Sequence, residues 1–554
     1  MTAMRLLTRQ AIFVVALLSA RAAGAGEWSY LVSGEPVRSL CGAAPEGWTT
    51  PEFDDGNWGP PKLTDGGTPE KCDALHVRRR FDVGPEIGKV QMLRLQVRYQ
   101  DGFVAWLNGV EIARRRFLGG EALLAAEPHG PEAERIFVPV QAGMLRASGN
   151  VLAVEAHPFR VGRAAIAEVA LGGSDAPRII RGPHLLRNLG GEATIAIDTD
   201  QPARAELRFS LRGDEQHEQV VSDARLDTHH ELRLPGLIAA RTYRYRVVLR
   251  GAAGEGKPVD AATAEAAFHT PPTASHPLRF VVMGDVRSGH AIHDSIVKAV
   301  VAEDPDLVLM TGDLVDIGSD DAEWQRYFDI EAPLLRQVPV YSAVGNHDGW
   351  RKSEGLSRFQ ALFGRGTGPT WWSFDVSGVH FVLLDSESYK NPDQLAWLKD
   401  DLAAARAKNP RAIFACMHHG PWSSALHGDN AIAIHDYVPV LEAAGVKLLF
   451  AGHDHDYERG KVGELNYVVS GGGGAELRTQ RCGIAGKKKC GPRVRAFANE
   501  HHYVVVELSR AAGSERVKLC PKRPDGTLLE ECPVIQLGPV MQGKKPANAR
   551  GRGR

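Results

Sequence analysis

Two histidines, His453 and His455, follow directly on a short apolar run that ends at Gly452. Such a run is typical of a buried parallel strand, and ligands bind just beyond the carboxyl ends of these strands. Side chains two residues apart on an extended segment point the same way, so both imidazoles can face one point. Because imidazole is the commonest metal ligand in proteins, the spacing indicates a metal site. An isolated His-x-His is also compatible with two polar loop histidines.

Four earlier apolar runs also end in a side chain that can bind a metal. In chain order these side chains are Asp285, Asp313, Asn346 and His418. Strands alternate with helix-length segments in this region, which predicts βαβ units and a parallel sheet. The carboxyl ends of parallel strands lie at one edge of a sheet, so five such endings in one chain indicate a single shared site.

The motifs around these residues resemble those of the calcineurin-like metallophosphoesterases, in particular the purple acid phosphatase branch. They are Gly284-Asp, Gly312-Asp, Gly345-Asn-His-Asp, Met417-His-His and Gly452-His-Asp-His. The resemblance covers about residues 278–538 and implies a four-layer αββα domain with two metal ions, of Fe, Zn or Mn. In the family pattern, a hydroxide between the metals attacks the phosphorus atom of the substrate.

The same resemblance assigns a role to each site residue. Asp285 and His455 would hold the first metal, Asn346, His418 and His453 would hold the second, and Asp313 would bridge the two. His347 would protonate the leaving group, and Asp348 would orient the His347 ring. His427 resembles a second pocket histidine, although a surface-loop histidine fits its sequence context equally well. His419 is expected to support its loop rather than to bind metal.

Two positions depart from the family pattern. The purple enzymes place a tyrosine, a ligand of ferric iron, where this chain has Asp316, and other members place a histidine where it has Arg287. The first metal position therefore lacks one expected ligand, which Asp316, His293 or water would replace. Arg287 would either grip a phosphate oxygen or form a structural ion pair. No colour from a tyrosinate–iron bond is expected.

The upstream sequence predicts two β-sandwiches. Residues 27–173 contain short alternating strands and an Asn-Gly turn, and they resemble galactose-binding-like jelly-roll modules. Residues 176–272 resemble the fibronectin-like N-terminal domain of purple acid phosphatases. In the first sandwich, Trp48 and Trp58 would stack on a glycan or, as we favour, fill the core. The expected fold class is multidomain, with two N-terminal β-sandwiches followed by an α/β metallophosphoesterase domain over residues 277–538.

Residues 1–25 have the features of a signal peptide, with Arg5 and Arg9 ahead of an apolar core and a small-residue cleavage site. This predicts a secreted or periplasmic protein, and no later stretch is apolar enough for a transmembrane helix. Residues 539–554 read as a disordered basic tail.

The seven cysteines suit an oxidising compartment. The expected pairs are Cys41–Cys72, Cys482–Cys490 and Cys520–Cys532, although sequence alone does not determine connectivity. Cys416 is left over within an apolar run and is expected to be a buried free thiol.

With a net charge of −1 over 554 residues, the chain lacks the basic surface that general nucleic-acid binding requires. The expected function is a secreted dinuclear-metal phosphoesterase that hydrolyses phosphomonoesters of a small molecule or polymer. A phosphodiesterase or nucleotidase of the same family is the alternative. The alternative of another class is a non-catalytic surface or glycan-binding protein with a degenerate phosphatase domain. Metal content separates these classes, since two-metal catalysis needs two ions per chain.

Overall fold

In a computed structural model of the chain, the structure describes residues 29–30, 38–59, 74–84, 87, 90–117, 125, 133–159, 165–174, 176–251, 265–349, 353–364, 366–482, 493–511 and 513–538. The predicted signal peptide (1–25), the predicted tail (539–554), Cys72 and Cys490 lie outside these ranges. Within the described ranges, the strands form five sheets that fall into three groups along the chain.

The first group is a β-sandwich. Its strands are β1 (Ser29–Tyr30), β2 (Arg38–Cys41), β3 (Leu75–Phe81), β4 (Met92–Gln100), β5 (Gly102–Leu107), β6 (Val110–Arg115), β7 (Ala133–Pro139), β8 (Asn150–His157) and β9 (Ala165–Ser174). They form two sheets, of order β1-β9-β4-β7 and β2-β3-β8-β5-β6. Because alternate residues of a strand face one side, Leu95, Phe103 and Val154 from both sheets meet in one core.

The outer face of the second sheet is covered by the segment that carries Trp48 and Trp58. These side chains are 9% and 5% exposed, and their ring centroids lie 5.9 Å apart. Both tryptophans therefore fill a small core with Val151 and Ala153, as predicted, and neither presents an open face to a glycan.

The second group is built on two long strands. Its strands are β10 (Ile179–Asn188), β11 (Glu192–Leu211), β12 (Gln219–Pro235), β13 (Thr242–Gly251) and β14 (Ala266–His269). The first half of β11 pairs with β10 and the second half with β13, with a register shift between Asp198 and Ala203. Ile195 from the first half and Phe209 from the second lie in one core, so the long strands supply both faces of a sandwich.

The third group combines two sheets with helices. Its strands are β15 (Leu278–Met283), β16 (Leu307–Met310), β17 (Val340–Ser342), β18 (Trp372–Val376), β19 (Val379–Leu384), β20 (Ala412–His419), β21 (Leu448–Gly452), β22 (Tyr457–Val462), β23 (Leu465–Ser470), β24 (Val494–Ala498), β25 (Tyr503–Ala511), β26 (Ser514–Lys522) and β27 (Val534–Gln536). Its helices are α1 (His290–Glu303), α2 (Asp321–Leu335), α3 (Ser353–Leu362), α4 (Pro392–Ala407) and α5 (Val438–Ala443).

These elements stack in four layers. The sheets, of order β17-β16-β15-β25-β26-β27 and β18-β19-β20-β21-β23-β22-β24, face each other across a core that includes Phe280, Phe414 and Phe450. Residues of α1, α2 and α3 cover the outer face of the first sheet, and residues of α4 and α5 cover the second. The predicted fold class, two β-rich regions followed by an αββα domain, is confirmed.

Parallel pairing determines where the functional loops lie. Strands β15, β16 and β17 are parallel neighbours in the first sheet, and β19, β20 and β21 are parallel neighbours in the second. Their carboxyl ends therefore lie at common edges. The loops that leave β15, β16 and β17 there meet those that leave β20 and β21.

Of the three expected cysteine pairs, Cys520–Cys532 is the one with both members among the described residues. Cys520 and Cys532 form a disulfide, and Cys416 is a buried free thiol. Cys41 and Cys482 are also disulfide-bonded. Of the helices in the described part of the chain, none has the length and apolar character needed to cross a membrane.

Candidate metal centre

Two clusters of potential metal ligands lie where these loops meet. Asp285, Asp313 and His455 form the first cluster, and His418, His419 and His453 form the second. Within each cluster, the ligand atoms lie within 4.8 Å of one another. The structure therefore gathers residues from the end of β20 and from the loops after β15, β16 and β21 into one centre.

Asp313 lies between the two clusters. It belongs to the first, and its Oδ1 atom is 3.3 Å from the Nε2 atom of His418 in the second. The Oδ1 atom of Asn346 lies 3.0 Å from the same nitrogen of His418. In the first cluster, the Nε2 atom of His455 is 3.5 Å from Oδ1 of Asp285. The six predicted metal ligands thus lie around a common space, and Asp313 contacts residues of both clusters.

The backbone of these loops is shaped for close approach. Asp285, Asp313 and His453 each follow a glycine and have φ angles of 56°, 57° and 69°. This left-handed conformation is uncommon for residues with a side chain, and it clusters at functional sites. A Cβ atom at Gly345 would overlap the carboxylate of Asp313, so only glycine lets the two loops meet here.

Burial and neighbouring charges shift the pKa values of the clustered residues. Burial raises the pKa of Asp285 well above its usual range, and the neighbouring charge of Asp313 raises it further. Burial would also raise the pKa of Asp313, but the adjacent His418 outweighs it and holds that pKa below its usual value. Burial, together with His418 and His419, lowers the pKa of His453, which keeps its imidazole neutral.

The donor set fits divalent metal ions. Mixed carboxylate and imidazole ligands suit Zn, Mn, Fe or Co, and metal ligation requires neutral imidazoles and ionised carboxylates. A cation beside Asp285 and Asp313 would offset the repulsion between two buried carboxylates. The residues present therefore match the metal ions implied by the motifs.

His347 lies at the rim of the centre, and its side chain is 20% exposed. Its Nδ1 atom lies 2.8 Å from the backbone carbonyl of Asp316, and its backbone N–H donates to Oδ1 of Asp313 at 3.0 Å. These contacts fix both the ring and the loop that carries it.

The prediction that Asp348 orients the His347 ring is wrong. The buried carboxylate of Asp348 instead accepts the backbone N–H groups of Asp313 (3.0 Å), Leu314 (2.8 Å) and Gly345 (2.8 Å). An aspartate side chain that accepts hydrogen bonds from several backbone N–H groups holds the segments in place, as it does in turns and helix caps. Asp348 therefore joins the loop after β16 to the loop after β17.

His427 lies in the centre rather than in a remote surface loop. Its ring centroid is 3.9 Å from that of His453, and its Nδ1 atom is 2.9 Å from Oδ1 of Asp454. It also lines a cavity of about 370 Å³ next to the second cluster, together with Trp422, Asn430 and Ile432.

The two candidates for the missing ligand have other partners. His293 is buried between α1 and α2, where its Nε2 atom lies 2.7 Å from Glu331. Asp316 pairs with the guanidinium of Arg287, whose Nε atom lies 3.3 Å from Oδ2 of Asp313. Among the described residues, neither His293 nor Asp316 belongs to the first cluster.

His419 is the residue that sequence reasoning placed outside the ligand set and the structure places inside a cluster. The sequence feature that could have indicated this is the adjacent pair His418 and His419. At the end of a strand, adjacent side chains point to opposite faces, so the sequence favours only one of them. The strand pairing of β20 with β21 shifts register between Cys416 and His419, and this irregularity lets both rings reach the centre.

Comparisons with known proteins agree with the geometry. Residues 278–457 match the family described as calcineurin-like phosphoesterase. The chain is similar to purple acid phosphatase 22 of Arabidopsis thaliana, with 27% identity over 271 residues, 45% of this chain and 59% of the relative. It is also similar to purple acid phosphatase 18 of the same plant, with 30% identity over 240 residues, 38% of this chain and 53% of the relative. The chain thus spans about half the length of the curated relatives it matches.

A solved structure shares the fold. Purple acid phosphatase PPD1 from yellow lupin (Lupinus luteus) seeds aligns with a TM-score of 0.59 and 15% identity, over 84% of this chain and 93% of that chain. The alignment reaches beyond residues 278–457, so the similarity in fold includes upstream β-rich regions.

Proposed function

We propose that the protein is a two-metal hydrolase of phosphomonoesters, on the premise that residues 278–457 match the calcineurin-like phosphoesterase family. The observation that carries the proposal is the position of Asp313. Its carboxylate belongs to the cluster of Asp285 and His455 and also lies 3.3 Å from Nε2 of His418. A single carboxylate shared by two ligand clusters is what a pair of closely spaced cations requires.

In this proposal, Asp285, Asp313 and His455 would hold the first ion. Asn346, His418 and His453 would hold the second ion, together with Asp313. Two cations held there would supply Lewis acidity toward a phosphoryl oxygen and toward water. A near-complete ligand set also argues against a degenerate, non-catalytic domain.

The position of Arg287 favours the binding of a phosphate group beside the two clusters. Its side chain is 14% exposed, and its Nε atom lies 3.3 Å from Oδ2 of Asp313 without a well-aligned hydrogen bond to any described residue. A planar guanidinium beside this proposed metal ligand matches the geometry of phosphate oxygens. We assign Arg287 the role of binding a phosphate oxygen while its other edge remains paired with Asp316.

We assign His347 the role of proton transfer to the leaving group. The Asp316 carbonyl, 2.8 Å from Nδ1, orients the ring and favours a proton on that nitrogen. The opposite nitrogen, Nε2, is then the atom that exchanges a proton with substrate. The adjacent cavity of about 370 Å³ has the size of small-molecule sites, and we assign it to the leaving group, with His427 on its wall.

The remaining chain fits a protein that works outside the cytoplasm. The Cys520–Cys532 disulfide is typical of oxidising compartments. We propose that the segment at residues 1–25 is a signal peptide and that residues 27–173, 176–272 and 277–538 are the three domains. Separate hydrophobic cores in each region support these boundaries.

The test is hydrolysis by the full chain after reconstitution with Zn, Mn or Fe, measured on a panel of phosphomonoesters and phosphodiesters. We expect monoesters to be the better substrates and Asp313→Asn to lower kcat/KM by at least about 100-fold, since bound metals supply several kcal/mol of transition-state stabilisation. Asp436→Asn changes the same functional group at an exposed position and should leave hydrolysis unchanged. Undiminished turnover by Asp313→Asn, or a preference for diesters, would overturn the assignment.

A further inference from the structure

His419 contributes a third imidazole ring to the second cluster. Its ring centroid lies 3.7 Å from that of His453 and 5.0 Å from that of His418. Its candidate ligand atom lies within 4.8 Å of those of both neighbours.

The hydrogen bonds of His419 match those of two other proposed ligands. The Nδ1 atom of His418 lies 2.9 Å from the carbonyl of Thr311, and that of His455 lies 2.6 Å from the carbonyl of Glu476. The Nδ1 atom of His419 lies 2.9 Å from the carboxylate of Glu387. Histidine ligands in proteins almost always have such an oxygen on one ring nitrogen, which leaves the lone pair of the other nitrogen for the metal.

The support around His419 is built from several contacts. The side chain of Ser386 accepts the backbone N–H of His419 at 3.0 Å and lies 3.2 Å from its Nδ1 atom. Tyr389 donates its hydroxyl to the carbonyl of His419 at 2.8 Å. Asp385 caps the short turn that carries Ser386 and Glu387. The ring is therefore held from both its backbone and its outer nitrogen.

We propose that His419 is a direct ligand of the second metal ion, through Nε2. The inference rests on the proposed two-metal function, and it adds a ligand that the motifs do not assign. The second ion would then have three imidazoles (His418, His419 and His453) and two oxygens (Asp313 and Asn346). An imidazole-rich set favours Zn²⁺ or Co²⁺ over Mg²⁺ or Ca²⁺, which prefer oxygen ligands.

The experiment is a titration of the metal-free full chain with Co²⁺, read by visible absorption and by competition with a chelator. The wild-type protein should bind two ions. His419→Ala should weaken one of the two by about 100-fold or more and leave the other unchanged, because removing even an outer-shell partner costs about 10–100-fold. Glu387→Gln, which keeps the ring, should weaken the same ion by about 10-fold.

The matched control is His427→Ala. The ring centroid of His427 lies 3.9 Å from that of His453, against 3.7 Å for His419, but His427 is outside the cluster, so both Co²⁺ affinities should be retained. If His419→Ala does not fold, His419→Gln and Glu387→Gln give the same comparison. Nuclear magnetic resonance of the Co²⁺ protein should also show one metal-shifted imidazole N–H signal fewer in the His419 variant.

The outcomes separate the inference from the function on which it rests. Unchanged affinities and an unchanged number of shifted imidazole signals in His419→Ala would show a purely loop-supporting histidine and overturn the inference. A wild-type chain that binds a single ion would instead refute the two-metal proposal. In that case, dependence of the single ion on His419 still decides whether the histidine is a ligand.

Discussion

The guanidinium of Arg287 pairs with the carboxylate of Asp316, so the two residues that depart from the family pattern contact each other. The Nε atom of the same guanidinium lies 3.3 Å from Oδ2 of Asp313. An ion pair thus stands where the pattern expects an additional metal ligand, and its positive charge faces the carboxylate proposed to bridge the ions. The two positions that depart from the family pattern therefore form one ion pair.

Replacement of Arg287 tests its proposed grip on phosphate. A hydrogen bond between charged groups contributes about 1.5–3 kcal/mol, so Arg287→Ala should raise KM by about 10- to 100-fold. Steady-state kinetics with a phosphomonoester measures the effect. Asp316→Asn removes the ion pair but keeps the guanidinium, and its KM should change much less. Equal increases in the two variants would show that only the ion pair matters.

The iron-loaded protein should be colourless in the visible range where tyrosinate–iron bonds absorb. Position 316, where the family pattern has the tyrosine, holds Asp316, whose carboxylate pairs with Arg287. An absorption spectrum after anaerobic iron loading and reoxidation measures this, with metal content determined on the same sample. A purple product would contradict the ligand assignment.

The first sandwich should stabilise the phosphoesterase domain through Arg116. Its guanidinium pairs with Asp320, the residue that caps α2, and donates to the hydroxyl of Tyr99 at 2.7 Å. The pair is 10% and 14% exposed, so solvent screens it weakly. Arg116→Ala should therefore lower the free energy of unfolding by about 1–3 kcal/mol.

Arg146→Ala is the matched control for this contact. Arg146 pairs with Glu52 in the same sandwich at 2.9 Å, but the two side chains are 49% and 68% exposed. Such surface pairs contribute about 0–1 kcal/mol. Urea unfolding of both variants measures the difference, and equal midpoints would show that the sandwich is not coupled to α2.

Acid should destabilise the protein partly through His184. This buried histidine lies against Phe328, 5.5 Å between ring centroids, and neither ring nitrogen has a hydrogen-bond partner in the described part of the chain. Burial lowers the pKa of His184 to about 4. The unfolded chain binds a proton near pH 6.5, so stability is complete above that pH and is lost as pH falls towards 4.

His184→Phe should remove this part of the acid sensitivity. A pKa difference of roughly two units corresponds to about 3 kcal/mol, so the variant should lose less stability than wild type between pH 7.5 and pH 4.5 by about that amount. Urea midpoints at the two pH values give the measurement. The exposed His435→Phe serves as control, and an unchanged acid dependence in His184→Phe would assign the effect to other groups.

The ligand types and their order along the chain could be predicted from sequence because they depend on local patterns. An apolar run followed by glycine and Asp, Asn or His specifies a strand and its terminal side chain, and the parallel arrangement follows from the strand–helix alternation. Asp285, Asp313, Asn346, His418, His453 and His455 meet for this reason. Sequence also predicted the burial of Trp48 and Trp58, and it predicted the Cys520–Cys532 pair from the short segment between the two cysteines.

Tertiary structure alone decided which partner each of these side chains has. Asp348 accepts backbone donors from two loops instead of the His347 ring, Arg287 meets Asp316, and a register shift turns His419 towards His453. Hydrogen bonds and ion pairs extend only about 3 Å, so they depend on loop positions that residues far apart in sequence determine together. Chemical types and strand ends are encoded locally, whereas the pairing of side chains at a loop junction is a property of the folded chain.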